Sequence, residues 1–290
     1  MLDRFFQISA AGSTLRREMF GGLTTFLTMA YIIFVNPAIL SAAGMDKGAL
    51  VTATILASVL GTVLAGLWAK LPLAMAPGMG LNAFFTYSLV IGHKLSWQTA
   101  LGAVFLSGCL FFILSISGAR KKIVAAIPDS LRTAIPAGIG LLIAFVGLKS
   151  MGLITGHKET LVALGKFTPE VLLGLGGTVL VFILLARRIP GAILLGILAV
   201  TGAALLTGRI TAPDTLVSMP APLAPLFLQL DIGGALQFGL VGAIFSLMFV
   251  DLFDSVGTIV ACAGEAGMIR EDGSIPRLDR ILQADAVATI

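Results

Sequence analysis

Apolar residues along this chain gather into long continuous runs separated by short polar stretches. Eight complete runs lie at about residues 20–40, 50–69, 73–92, 100–117, 133–154, 171–186, 192–206 and 238–263, and a ninth begins at 284–290. A helix of roughly twenty apolar residues matches the hydrocarbon thickness of a bilayer. Only helices and closed barrels satisfy their backbone polar groups inside lipid. The pattern therefore predicts an all-α polytopic membrane protein. Residues 1–19 read as a polar, basic cytoplasmic leader with a short interfacial helix at 2–8, and no cleavable signal peptide is evident.

The third run is interrupted. It reads Ala76-Pro77-Gly78-Met79-Gly80-Leu81-Asn82-Ala83-Phe84-Phe85-Thr86-Tyr87. Proline removes an N–H donor and glycine relaxes the backbone, so a continuous helix is not expected there. The helix should begin at 78–82 and not at Leu71. Irregular backbone at membrane depth survives only when buried in protein or facing a cavity. A helix beginning after such a break points N–H groups at a ligand. Asn82 sits in that first turn with both a donor and an acceptor to offer. Gly80 allows close approach, and Phe84, Phe85 and Tyr87 are candidates to stack on a planar ligand. The competing reading is a kinked helix packed through small residues.

The eighth run holds two carboxylates, Asp251 and Asp254, in Val250-Asp251-Leu252-Phe253-Asp254-Ser255-Val256-Gly257-Thr258. A charge at the bilayer centre costs several kcal/mol, about 3 on insertion scales. The three-residue spacing puts both on one helical face, which must look into protein or water. That pair is the strongest candidate for a substrate or ion site. Two acids so close titrate as a coupled pair, so one of them is a candidate proton carrier. The bland alternative is a structural role accepting hydrogen bonds from a neighbouring helix. Glu265 and Asp272 read as loop residues, and Asp285 stands in the incomplete ninth run.

Composition sharpens this picture. Of 290 residues 57% are hydrophobic and 12% charged, and the mean hydropathy is +1.02; soluble domains carry about 25% charged residues. The net charge of +4 reflects basic loops and does not imply a nucleic-acid partner. With the N-terminus inside, thirteen of the nineteen lysines and arginines fall in inner loops and six in outer ones, as the positive-inside rule requires. The clusters Arg120-Lys121-Lys122 and Arg187-Arg188 carry most of that signal. Cys109 and Cys262 read as buried thiols with no disulfide and no metal spacing. His93 and His157 fall in expected loops. No metal or cofactor is expected. Residues 208–237, with Pro213, Pro220, Pro222 and Pro225, read as an external connector.

A weak internal repeat relates the first and eighth runs. Shifting by 218 residues brings Phe20-Gly21 onto Phe238-Gly239, Thr28 onto Ser246, and Asn36 onto Asp254. Seven spans separate the two starts, and an odd number inverts the second copy. Inverted repeats with a site at the midplane are a common transporter build. The division expected is a first repeat at 20–207, the connector at 208–237, and the start of a second repeat at 238–290. Because the ninth run stops short of a span, the chain reads as part of a longer protein.

The segments at 76–87 and 250–258, together with the opening at 17–37 (REMFGGLTTFLTMAYIIFVNP), resemble the AzgA-like purine permeases of the nucleobase–cation symporter group. The resemblance covers the whole chain. It implies fourteen spans in two inverted seven-span repeats, a core and a gate domain, and broken spans three and ten that supply short strands and half-helices. It implies uptake of adenine, guanine or hypoxanthine with protons by alternating access, in a bacterial-type plasma membrane, and makes a homodimer the expected assembly. Carried over by motif, the family's site residues are Asn82, Asp251 and Asp254; its span-ten glutamate lies beyond Ile290. Rival readings are a xanthine, uric acid or uracil permease of the same group, and an anion transporter of the same architecture. Two central acids argue against the anion. An intramembrane enzyme would need a nucleophile and base, and the runs hold no His and no Cys–His pair.

Overall fold

The computed structural model describes residues 6, 8, 12–117, 129–211, 219–270, 275 and 277–289. The expected interfacial helix at 2–8, the Arg120-Lys121-Lys122 cluster and Asp272 lie outside the described residues, as does the side chain of Glu265. The described chain is mostly helical. In order, α1 is Leu15–Met29, α2 Ile32–Ser41, α3 Lys47–Leu64, α4 Met79–Ala83, α5 Trp97–Ser117, α6 Asp129–Met151, α7 Pro169–Ala186, α8 Ala192–Leu206, α9 Ile232–Ala235, α10 Val241–Glu265 and α11 Leu278–Thr289. Two helices continue in wider π turns, α3 through Ala65–Ala69 and α4 through Phe84–Gly92.

Among the described residues five helices are long and apolar enough to cross a membrane: Leu15–Ser41, Lys47–Ala69, Trp97–Ser117, Pro169–Ala186 and Val241–Gly264. Two of the eight expected runs give shorter apolar helices, Met79–Gly92 and Ala192–Leu206, and the fifth gives the apolar stretch Gly140–Met151 within α6. The third is short because the chain before Met79 is not helical. The first is interrupted by a turn at Ala30 and Tyr31. Large apolar side chains stand exposed along these helices, Phe20, Phe34 and Phe182 among them. Contiguous apolar surface of that kind needs an apolar surrounding.

The all-helical expectation needs one correction. Ile154–His157 and Leu161–Leu164 pair antiparallel as β1 and β2, with Ile154 opposite Leu164 and His157 opposite Leu161. Gly152, at φ +87, turns the chain out of α6, and the apolar residues beyond it then pair as a ribbon. His157 thus lies in a strand and not in a loop.

The chain forms two compact units. One comprises residues 1–32 and 143–219, the other 33–142 and 220–290. Within the first, α7 and α8 pack through reciprocal small-residue contacts. A Cβ on Gly177 would strike Val200, and one on Gly196 would strike Val181. Thr168 caps α7 by accepting from the Val171 N–H at 3.4 Å, with Pro169 in the first helical position, where a missing N–H costs nothing. Arg209 and Glu170 form an exposed ion pair at 2.6 Å.

The second unit holds three apolar clusters. One gathers Leu50, Phe85, Leu89, Ala100 and Leu247. Another joins Ala65, Leu71, Ile259 and Ile281, and a third joins Phe111, Met248, Leu252 and Ala286. The described end of the expected connector packs into this unit. Thr52 donates to the Ala221 carbonyl at 2.9 Å, and the Asp231 N–H donates to that of Gln98 at 3.0 Å.

Candidate functional site

The extended stretch before α4 sets up the site. Lys70 leaves the π turn in the left-handed region at φ 52, and the chain then runs without helix to Gly78. Pro77 forces the residue before it toward extended backbone, and Gly78 caps the new helix with φ −70 and ψ 112. No strand partner for this stretch exists among the described residues. It is held by Thr62 of α3, whose hydroxyl accepts from the Met75 N–H at 3.0 Å and donates to the Met75 carbonyl at 3.2 Å. One threonine thereby satisfies both backbone groups of Met75. Gly61 beside it clears the way, since a Cβ there would lie 3.2 Å from that of Met75.

No side chain caps α4. The positive end of its dipole is therefore available to an anion. The Asp254 carboxylate sits against that end, its Oδ2 2.8 Å from where a Gly78 Cβ would be.

A cavity of about 340 Å³ lies in the second unit, lined by residues from α3, the extended stretch, α4, α5, α10 and α11. That volume is in the range of small-molecule sites, ~300–1,000 Å³. Most of the wall is apolar; Asn82, Asp251, Asp254, Ser107 and Asp285 are among its polar members. Asp251 is buried, 6% exposed, and Asp254 is half-buried. The structure thus brings Asn82, Asp251 and Asp254 to one cavity.

Three other sequence candidates, Gly80, Phe84 and Tyr87, are not on the cavity wall. Gly80 is buried but does not line the cavity. Phe84 also lies off the wall and packs against the Leu50–Leu89 cluster, while Phe85 reaches the wall. The π turns beginning at Phe84 rotate successive side chains differently from α-helical spacing. Both thiols are free, but the buried thiols expected are not observed: Cys109 is half-buried, and Cys262 is exposed on the cavity face of α10.

Residues to which the sequence assigned no site role complete the cavity region. Asn36 of α2 is 3% exposed and Thr54 of α3 is 2% exposed. Asn36 Nδ2 donates to Thr54 Oγ1 at 2.8 Å, and Asn82 Nδ2 donates to Asn36 Oδ1. Asp285 enters from α11 as a third carboxylate on the wall. Among the described residues no group of three or more His, Cys, Asp or Glu is arranged to hold a metal ion.

The sequence profile of the Permease family matches residues 16–290. The chain belongs to this family. It is 48% identical over 290 residues to a putative permease of Methanocaldococcus jannaschii, covering all of this chain and 66% of that protein. It is 41% identical over 291 residues to the adenine permease AdeP of Escherichia coli, covering all of this chain and 65% of that one. The guanine/hypoxanthine permease PbuG of Bacillus subtilis is 42% identical over 301 residues, with all of this chain and 68% of that protein covered. The chain thus spans about two thirds of the length of the relatives it matches. Family and relatives alike are permeases, which fits the apolar helices of this multi-pass membrane protein.

Proposed function

We propose that this permease takes up a purine nucleobase, adenine, guanine or hypoxanthine, together with protons, exposing its cavity alternately to the two sides of a plasma membrane. The observation that carries the reading is the meeting of Asn82, Asp251 and Asp254 on one cavity at the start of α4. A purine presents ring nitrogens, N–H groups and exocyclic substituents around a flat apolar body. An amide and two carboxylates set in an apolar wall suit that edge chemistry. Relatives named for adenine and for guanine and hypoxanthine support the same class of substrate.

Asp254, half-buried against the uncapped end of α4, is the residue proposed to hold the base with Asn82. Asp251, more deeply buried, is proposed as the proton-coupling or supporting carboxylate. Coupling exists only if base and proton each bind the two conformations unequally. The two compact units support a division into a core and a gate domain, because every site residue belongs to the second unit and none to the first. The inverted repeat beginning at residues 20 and 238, the inside N-terminus and a homodimer complete the proposal.

The test is uptake of radiolabelled adenine and hypoxanthine by cells expressing the full-length protein, under an imposed proton gradient. Accumulation that a protonophore abolishes is expected. Uptake of neither base, or uptake indifferent to the gradient, contradicts the purine or the proton part of the proposal respectively.

A further inference from the structure

Behind Asn82, away from the cavity, a chain of three hydrogen bonds has a fixed direction. The Thr54 hydroxyl has one proton, and it goes to the Leu50 carbonyl at 2.7 Å. Its oxygen then has only lone pairs to offer, and it accepts from Asn36 Nδ2 at 2.8 Å. With its nitrogen committed to Thr54, Asn36 presents its oxygen on the opposite side. Asn82 answers with its own Nδ2. Neither Asn36 nor Thr54 lines the cavity, whereas Asn82 does.

We infer that Thr54 and Asn36 set the amide of Asn82 with its nitrogen turned inward and its carbonyl oxygen turned to the cavity, so that the site selects a purine presenting an N–H or amino donor at that edge. An asparagine alone is indifferent, since its amide accepts or donates according to its rotation. The buried pair removes that freedom. A flipped Asn82 would set its oxygen against Asn36 Oδ1, two acceptors with no proton between them. Leaving a buried polar group unsatisfied costs roughly tenfold or more in an equilibrium constant. Thr54 and Asn36 are thus positioning residues, acting on specificity through Asn82. The inference rests on the proposal that the cavity binds purines and adds which hydrogen-bonding sense it reads.

The test is competition binding on membranes containing the full-length protein, using a panel of purines that each lack one N–H or amino donor. In the unaltered protein one deletion is expected to weaken binding about tenfold. In Thr54→Val the hydroxyl is gone and Asn36 is free to turn, so that penalty should shrink to about threefold or less, while Thr54→Ser should retain it. Should Thr54→Val fail to reach the membrane, Asn36→Asp and Asn36→Ala decide the matter. The aspartate still accepts from Asn82 and should keep the penalty, and the alanine should lose it. An undiminished penalty in Thr54→Val, or equal penalties in the two Asn36 variants, overturns the inference and leaves the purine reading standing. No purine binding in the unaltered protein overturns the purine reading itself.

Discussion

The Asp254 carboxylate fills the space beside Gly78: a methyl group on Gly78 would stand 2.8 Å from Asp254 Oδ2. The two residues lie 176 positions apart and meet where α4 begins. Gly78→Ala should displace the carboxylate from the place it holds beside the start of α4. Purine affinity is expected to fall about tenfold with little change in the amount of protein in the membrane, because the displaced group is a flexible side chain and not backbone. Uptake kinetics with a parallel immunoblot measure both. Unaltered affinity would detach the α4 terminus from the site.

Asp251 and Asp254 should separate on mutation. Asp254→Asn is expected to weaken purine binding by about 1.5–3 kcal/mol, the worth of a charge-assisted hydrogen bond. Asp251→Asn should leave binding nearly intact while abolishing accumulation driven by a proton gradient. Equilibrium binding and gradient-driven uptake on the same membranes distinguish the two. Unaltered behaviour of both variants in both assays would remove the pair from the mechanism.

Thr62→Val removes the hydroxyl that clamps both backbone groups of Met75. With the shape kept and two half-buried hydrogen bonds lost, a destabilisation of about 1–3 kcal/mol is expected. Thermal unfolding in detergent should show a lower midpoint, and added purine should recover part of it by binding the folded state.

The glycine contacts of α7 and α8 give a prediction away from the cavity. Gly177→Ala meets Val200, whereas Gly176→Ala meets nothing within 4 Å. Overpacking at Gly177 should cost about 1–3 kcal/mol, seen as less folded protein in the membrane. Gly176→Ala should match the unaltered protein. Equal yields of the two variants would contradict the packing described.

The parts of the site readable from sequence are those whose chemistry is local. Proline and glycine at 77, 78 and 80 act on the backbone where they stand, and α4 begins at Met79. Asp251 and Asp254 declare themselves by the cost of charge in an apolar run. Asn36 and Thr54 do not, because a small neutral polar residue in such a run costs little. Their role arises only from contacts 18 and 46 residues away in the chain. Phe84 and Phe85 could not be ranked without knowing that the helix widens into π turns at Phe84. The β1–β2 ribbon was hidden because Ile154 and Leu161–Leu164 have the composition of a span end. Asp285 gained its meaning only when Leu278–Thr289 folded as a helix against the cavity.

Binding of a purine in this cavity underlies every role proposed for Asn82, Asp251 and Asp254. Its most direct test is competition against radiolabelled hypoxanthine uptake in cells expressing the full-length protein, with adenine, guanine, xanthine, uracil and sulfate as competitors, each repeated in Asn82→Ala. Adenine or guanine should block uptake at low excess, uracil and sulfate should not, and Asn82→Ala should weaken every purine. Inhibition by sulfate or uracil with none by purines, or full purine inhibition retained in Asn82→Ala, would contradict it.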